Sequence, residues 1–308
     1  MGEKKSVGYH LPTGKAIDTL MSKQTVTIIG GGLAGCEAAW QISRMGVPVH
    51  LHEMKPKRFS PAHEMESLAE LVCSNSLRSD DPSSAVGLLK EEMRKFSSLT
   101  MTTAMEHRVP AGKALAVDRN AFSLAISKKL EESPLIQISR DEVTSLPPEE
   151  TAPCIVASGP LTSESLTQSL MTITGKKLAF YDAIAPIVEA DSLDMEIVYR
   201  KSRYDSGPGD YLNCPMDREE YQYFIEQLST AQTVPLQGHE EQKYFEGCLP
   251  IEIMCARGEN TPRFGPMKPV GLPDPRTGKD PYAVVQLRSE NLQCSHYNMV
   301  GFQTKMTY

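Results

Sequence analysis

The sequence predicts an α/β chain, with a parallel sheet first and an α+β region after it. Three observations carry that expectation. A strand–turn–helix–strand pattern occupies residues 25–53, helix and strand patterns alternate from there to residue 180, and beyond that point Pro and Gly thicken while helical patterns thin out.

The first of these is "TVTIIGGGLAGCEAAWQISRMGVPVHLHE". Thr25 to Ile29 is short and β-rich and runs straight into glycines. Ala38, Ala39, Ile42 and Met45 then recur at helical spacing, and Gly46 offers a C-cap. Val47, Val49 and Leu51 alternate with Pro48, His50 and His52, as a half-buried strand requires. A βαβ unit of this kind implies parallel strands joined by a right-handed crossover.

Within it, Gly30, Gly32 and Gly35 satisfy G-x-G-x-x-G, and the turn runs Gly30, Gly31, Gly32, Leu33, Ala34, Gly35. The first glycine permits a tight turn, the second lets backbone approach a pyrophosphate, and the third packs helix against strand. The helix N-terminus offers free N–H groups and partial positive charge to phosphates. Glu53 ends the second strand, eighteen residues after Gly35, where an acid can bind ribose hydroxyls. Such a Rossmann-like unit binds a dinucleotide; FAD and NAD are not distinguished by the motif.

Further helices are expected in "SSAVGLLKEEMRKF", with Leu88, Leu89, Met93 and Phe96 on the apolar side, and after Asp118 as N-cap, through Phe122, Ile126 and Leu130. "LIQISRDEV" reads as a strand and "PCIVASGP" as a buried one, with Cys154 in the core. "SLDMEIVYRKSRY" and "YAVVQLR" read as antiparallel strands, with one helix, "REEYQYFIEQLS", between them. The expected division is an N-terminal disordered extension over 1–24, a Rossmann-like domain over 25–180 and an α+β domain over 181–298.

Length and composition bound the function. At 308 residues the chain exceeds what one core usually supports, and 40% hydrophobic with 23% charged residues is ordinary for a globular protein. No apolar run approaches the ~18 residues of a membrane span, and the N-terminus lacks a signal-peptide core. The seven cysteines, Cys36, Cys73, Cys154, Cys214, Cys248, Cys255 and Cys294, form no C-x-x-C pair and are odd in number. That excludes a zinc ribbon, a dithiol reductase and a secreted disulfide framework, and points to a reducing, cytoplasmic compartment. No metal site is expected. Cys36 follows the glycine turn and reads as a small packed residue, although a helix N-terminus would lower a thiol pKa. Cys214 and Cys294 read as core.

A net charge of −7 speaks against a generic nucleic-acid coat. Locally, however, Arg257, Arg263, Lys268, Arg276, Lys279 and Arg288 outnumber Glu259, Asp274 and Asp280 between Cys255 and Arg288. A solvated loop would account for this excess as readily as a docking face.

Four stretches, "IIGGGLAGCEAA", "ELVCSNSLRSD", "VPAGKALAVDR" and "YFEGCLPIEIMCARGENTPRFGPMKPVGL", closely resemble the bacterial folate- and FAD-dependent tRNA (uracil-5-)-methyltransferase family, often called TrmFO. "AFYDAIAPIVEADS", "DYLNCPM" and "DPRTGKDPYAVVQLR" fit the same pattern, so the resemblance runs from Thr25 to Tyr308. Lys113, Cys255 and Pro262 depart from it. The resemblance implies FAD in the glycine turn and an α+β domain inserted into the FAD-binding one. It also implies that 299–308 begins the return to that domain, with a C-terminal third that this chain lacks.

It further implies a chemistry. Uracil C5 is a poor nucleophile until a thiolate adds at C6 and converts the ring to an enolate with carbanion character at C5. The resemblance implies methylenetetrahydrofolate as carbon donor, NADH or NADPH as reductant, and a reduced flavin that carries the methylene and supplies electrons. Two cysteines match: Cys248 as the C6 nucleophile and Cys73 as the flavin-side thiol, base or transient adduct, with the roles exchangeable. Arg257, Arg263 and Lys268 then read as phosphate contacts to tRNA, which position RNA without reading sequence. Arg78 would face flavin or folate. Glu246 and Glu252 are candidates for a pocket acid or for plain surface carboxylates. The competing readings are a generic FAD- or NAD(P)H-dependent oxidoreductase and an inactive RNA-binding fragment of the same family.

Overall fold

A computed structural model describes residues 25–148, 153–175, 185–203, 207, 209–233 and 249–306. The expected extension over 1–24 lies outside them. In the first half, strands β1 (Val26–Ile29), β2 (Val49–His52), β3 (Ser76–Ser79), β4 (Arg108–Val109), β5 (Ala114–Val117), β6 (Ile136–Ser139) and β7 (Cys154–Val156) alternate with helices. These are α1 (Leu33–Arg44), α2 (Ala85–Lys95), α3 (Leu99–Glu106), α4 (Arg119–Glu131) and α5 (Glu164–Thr174). The second half holds β8 (Ile187–Glu189), β9 (Tyr199–Arg200), β10 (Leu212–Met216), α6 (Arg218–Thr230), α7 (Ile251–Arg257), α8 (Thr261–Phe264), β11 (Ala283–Ser289) and β12 (His296–Met299).

The βαβ expectation translates directly. β1 pairs parallel with β2 from Val26↔Val49 to Ile29↔His52, and the sheet order is β6-β2-β1-β7 with every pairing parallel. One core joins Ile28, Val49 and Leu51 of this sheet to Ala39 of α1 and to Phe122, Ile126 and Leu130 of α4. Asp118 caps α4 as expected, its carboxylate accepting from Ala121 N at 3.0 Å. An antiparallel sheet, β3-β5-β4, lies beside this unit.

Three sequence expectations fail on exposure. Cys154 and the rest of β7 are exposed rather than core, because β7 is an edge strand of the parallel sheet. In α2 three of the four residues expected on the apolar side are exposed, Leu88, Leu89 and, at the C-cap, Phe96, while Met93 packs against the first core. Instead Gly87 and Lys90 are buried, since Lys90 Nζ donates to Ser79 O at 2.9 Å and a Cβ on Gly87 would meet Asp81 O at 1.9 Å. Met45, expected on the inner face of α1, is its exposed C-cap.

Glu37 shows how α1 and α3 are joined. Its carboxylate accepts from Ser98 Oγ (2.8 Å), Leu99 N (3.2 Å), Thr100 N (3.0 Å) and Gln41 Nε2 (2.8 Å), so it caps the α3 N-terminus from another helix. Burial alone would raise its pKa, but the hydrogen bonds from Gln41, Thr100 and Ser98 outweigh it and hold the carboxyl below its ordinary value. A depressed folded-state pKa contributes stability that is present above the unfolded pKa and is lost as pH falls through the folded one. The melting temperature is therefore expected to fall more steeply in wild type than in Glu37→Gln when pH drops below about 4. Parallel curves would show that the cap carries no linkage.

The second core is built around an antiparallel sheet, order β8-β12-β11-β10-β9. Ala283, Val285 and Leu287 of β11 face Tyr221 and Ile225 of α6 and Ile251 of α7. With a strand period of two, Gln286 and Arg288 point to the other side, yet they too are buried. That opposite face lies against the first unit.

Candidate functional site

The glycine turn opens a cleft of about 330 Å³, lined by Gly30 to Ala34, Glu53, Glu70, Val72, Asp141, Glu142 and the 157–163 loop among others. Gly30 adopts φ +108°, and a Cβ there would meet Ala157 O at 2.6 Å. Gly35 packs α1 against the turn so closely that a Cβ would lie 1.9 Å from Gly30 O. Gly32 is different: a Cβ would meet nothing within 4 Å, so the space beside it belongs to the cleft.

Gly32 is the N-cap of α1 and provides no side-chain cap. Cys36 N is the first helix amide with a carbonyl partner, Gly32 O at 2.9 Å, and the amides of Gly32, Leu33 and Ala34 have no partner among the described residues. Unfilled donors at a helix N-terminus, beside open space, fit a pyrophosphate.

Glu53 is 7% exposed at the end of β2. Its Oε2 accepts from Gly31 N at 2.9 Å and its Oε1 from Lys55 N at 3.0 Å, so the carboxylate fastens the turn as well as lining the cleft. Each oxygen keeps a further lone pair for a ribose hydroxyl. Behind it stands a buried pair that the sequence did not announce: Lys55 Nζ donates to Glu70 Oε2 at 2.9 Å and to Ser67 O at 2.8 Å. Glu70 Oε1 in turn accepts from the amides of Glu64 and Met65 at 2.8 and 3.1 Å.

Cys36 is fully buried, donates to Gly31 O at 3.2 Å, and burial pushes its thiol up to about 12. The helix N-terminus does not activate it; the packing role expected for it holds. Cys255 is buried in the second core and held near 11 by burial, and Cys214, half-buried, is likewise about 11. Cys294 is half-buried against the same core.

Cys73 lies half-buried between the cleft-lining Val72 and Ser74. Arg119 Nη1 donates to Leu71 O at 2.7 Å, Arg288 Nη2 to Ser74 Oγ at 2.7 Å, and Arg288 Nε to Asn75 Oδ1 at 2.9 Å. Tyr211 Oη also donates to Ala111 O (2.8 Å). Segments far apart in sequence that carry the resemblance ("ELVCSNSLRSD", "VPAGKALAVDR", "DYLNCPM" and "YAVVQLR") therefore meet at one seam. A cavity of about 430 Å³, lined by Glu70, Val72, Arg119, Glu290 and His296 among others, adjoins it. Cys248 and Glu246 lie outside the described residues. Glu252 accepts from Thr304 Oγ1 at 3.1 Å and Lys305 N at 2.8 Å, which makes it a tie for the 304–305 segment.

The basic stretch is not one patch. Arg288 is 5% exposed and belongs to the seam, and Arg276 forms a fork with Asp274. Arg263, expected to reach phosphate, turns inward: its guanidinium lies 3.5 Å from the Tyr282 ring centroid and Nε donates to Tyr282 O at 2.9 Å. Cation–π stacking and a carbonyl partner hold it against β11's approach. Arg257 and Lys268 are exposed. Arg203, which the sequence did not mark, donates to Lys268 O and Val270 O and shapes that loop. Arg78 sits at φ +65° on the rim of a second groove shared with Leu33 and Ala34. Among the described residues there is no cluster that could hold a metal ion, and no helix is long and apolar enough to cross a membrane.

Fold and cleft together define a Rossmann-type α/β protein with an open glycine turn. A sequence profile described as "Glucose inhibited division protein A" matches residues 25–308, and the chain belongs to that family. Proteins named methylenetetrahydrofolate--tRNA-(uracil-5-)-methyltransferase TrmFO are among its relatives. That of Desulfotalea psychrophila is 64% identical over 92% of this chain, and that of Geobacter sulfurreducens 59% identical over 92%. The chain spans 64% and 65% of the lengths of these two relatives. Among solved structures, GidA of Aquifex aeolicus superposes with a TM-score of 0.57 at 12% identity, covering 92% of this chain and 50% of that one, which shows a shared fold.

Proposed function

We propose that this chain is the FAD-binding and RNA-facing part of a cytoplasmic enzyme that methylates uracil C5 in tRNA, with methylenetetrahydrofolate as carbon donor and NADH or NADPH as reductant. The observation that carries the reading is the position of Val72, next to Cys73, on the wall of the cleft formed by the glycine turn. The identity to curated methyltransferases supports it.

Gly30 to Ala34 would receive the FAD pyrophosphate, and Glu53 the ribose. When bound and reduced, the flavin supplies the one-carbon relay and the electrons. Cys248 adds as thiolate to uracil C6, which moves the pair of the C5–C6 double bond toward O4 and makes C5 nucleophilic. Once C5 carries its new carbon, loss of the C5 proton would expel the donor from that carbon and leave an exocyclic methylene. A hydride equivalent, which reduced flavin would supply, makes it methyl, and the resulting enolate expels the thiolate and restores the ring. Cys73 acts from the flavin side as base or transient adduct. Arg257 and Lys268 would contact phosphates, while Arg263 supports that surface by fixing α8 to Tyr282.

The decisive experiment is covalent capture of an RNA stem-loop carrying 5-fluorouracil. The fluorine cannot leave as the C5 proton does, so the C6 thioether is trapped. Wild-type protein loaded with reduced flavin and folate is expected to give a denaturant-resistant RNA adduct, and Cys248→Ala to give none. Undiminished capture by Cys248→Ala would move the nucleophile to Cys73. Absence of capture by the loaded wild type would overturn the reading.

A further inference from the structure

Residues 71–75 around Cys73 form no regular structure, and at their C-terminal end Asn75 O accepts from Val117 N at 3.0 Å. Much of what holds the segment comes from three consecutive residues at the C-terminal end of β11 and just past it, Arg288 to Glu290. On one flank, Glu290 holds Arg119 through Nε–Oε2 at 3.0 Å and Nη2–Oε1 at 3.2 Å, and Arg119 Nη1 donates to Leu71 O. On the other flank, Arg288 donates to Ser74 Oγ and Asn75 Oδ1, and Asn75 Nδ2 donates to Ser289 O at 2.9 Å. Asn75 is fully buried, and a second bond from its Nδ2 to Val117 O, also 2.9 Å, ties the segment to β5.

We infer that Arg288 and Glu290 are positioning residues for Cys73: a two-armed clamp by which the antiparallel sheet of the second core sets where the thiol stands at the cleft. The inference rests on the reading of Cys73 as a working thiol. Three features separate a clamp from ordinary packing. Both arms are charged side chains bearing on a segment with no secondary structure of its own. They attach two residues before Cys73 and one and two residues after it, so that only Val72 and Cys73 lie between them. Finally, Arg288 is buried with Ser74, Asn75, Asn298 and the Tyr211 hydroxyl among its hydrogen-bonded partners, a costly place for a guanidinium unless its fork geometry is needed. The register supplies the reason it reaches: Leu287 faces the second core, so residue 288 must face the seam. Lysine offers its three donors from a single nitrogen and not from a planar fork, so it would meet Ser74 and Asn75 in a different geometry.

The test compares alkylation of individual cysteines by iodoacetamide in the 308-residue chain, read peptide by peptide by mass spectrometry. Arg288→Met is expected to speed labelling of Cys73 about tenfold, as the half-buried segment loosens by the worth of one charge-assisted bond. Exposed Cys154 is the internal reference and should not change. Buried Cys36 and Cys255 should stay protected; their labelling in step with Cys73 would mean general unfolding and would overturn a specific clamp. Ser74→Ala, which removes one acceptor and leaves the buried arginine in place, should speed Cys73 about threefold. It decides the matter where Arg288→Met does not fold. Arg288→Lys should recover only part of the wild-type rate. Unchanged Cys73 labelling in Ser74→Ala and in any folded Arg288→Met would overturn the proposal. None of these readouts needs flavin or RNA, so failed capture of fluorouracil RNA counts against the functional reading alone. In a chain that does turn over, the clamp variants should lower kcat and leave flavin content unchanged.

Discussion

Gly35→Ala is expected to cost the protein about 3 kcal/mol or more and, with it, binding of the proposed flavin. The added Cβ would stand 1.9 Å from Gly30 O, a backbone atom held in place because Gly30 N bonds His52 O at 2.8 Å. Helix α1 can escape only by lifting off β1, which opens the core at Cys36 and Ala39 and moves the helix N-terminus away from the cleft. With total stabilities of about 5–15 kcal/mol, this is a large fraction, and a melting temperature lower by roughly 6–12 °C would report it. Gly32→Glu provides the contrast. Its Cβ meets open space and its φ of −74° suits any residue, so the fold should melt within a degree or two of wild type, as for an exposed site. Yet the carboxylate would occupy the place assigned to pyrophosphate, and visible flavin absorbance should vanish. Yellow Gly32→Glu protein would show that no phosphate sits on this turn.

Lys55→Met should be almost as damaging, by a different mechanism. Lys55 and Glu70 have side chains 3% and 6% exposed, and removing the ammonium leaves a carboxylate buried with its amide partners but no countercharge. Breaking a buried pair in this way costs about 3–5 kcal/mol. The loss should propagate to the cleft, because Lys55 N is also the partner of Glu53 Oε1. Lys55→Met/Glu70→Gln should recover a good part of the stability, since glutamine leaves no buried charge while still accepting from Glu64 N and Met65 N. A double variant no better than the single one would locate the cost in lost lysine packing instead. By comparison, the nearby Lys57–Asp141 pair has side chains 65% and 62% exposed, and Lys57→Met should change stability by less than about 1 kcal/mol.

Much of the first unit was legible because its signals are local. The positive φ of Gly30 and the approach of Gly35 to Gly30 O act within six residues, and β2 shows its burial in alternation, although the approach of Ala157 to Gly30 is long-range. Asp118 likewise caps a helix that begins at the next residue. The misreadings share another cause. An apolar strand reads as buried, but β7 sits at a sheet edge and leaves Cys154 exposed. The apolar residues of α2 mark a face, but the helix docks through Gly87 and Lys90 because the 79–84 loop offers carbonyls at that spot. Arg263 and Arg288 belong to one basic run, yet one stacks on Tyr282 and the other is buried in the seam.

By itself the sequence determined the parallel βαβ unit, the glycine turn and its acid, and the helices whose caps and periodicity lie within a few residues. These follow from backbone sterics and hydrogen bonds between near neighbours. Tertiary structure alone decided which apolar faces are covered, that Lys55 and Glu70 are a buried pair, and that Arg288 meets Asn75 across 213 positions of chain. Those outcomes depend on how two cores abut, and no periodicity within a segment encodes what another segment will place against it.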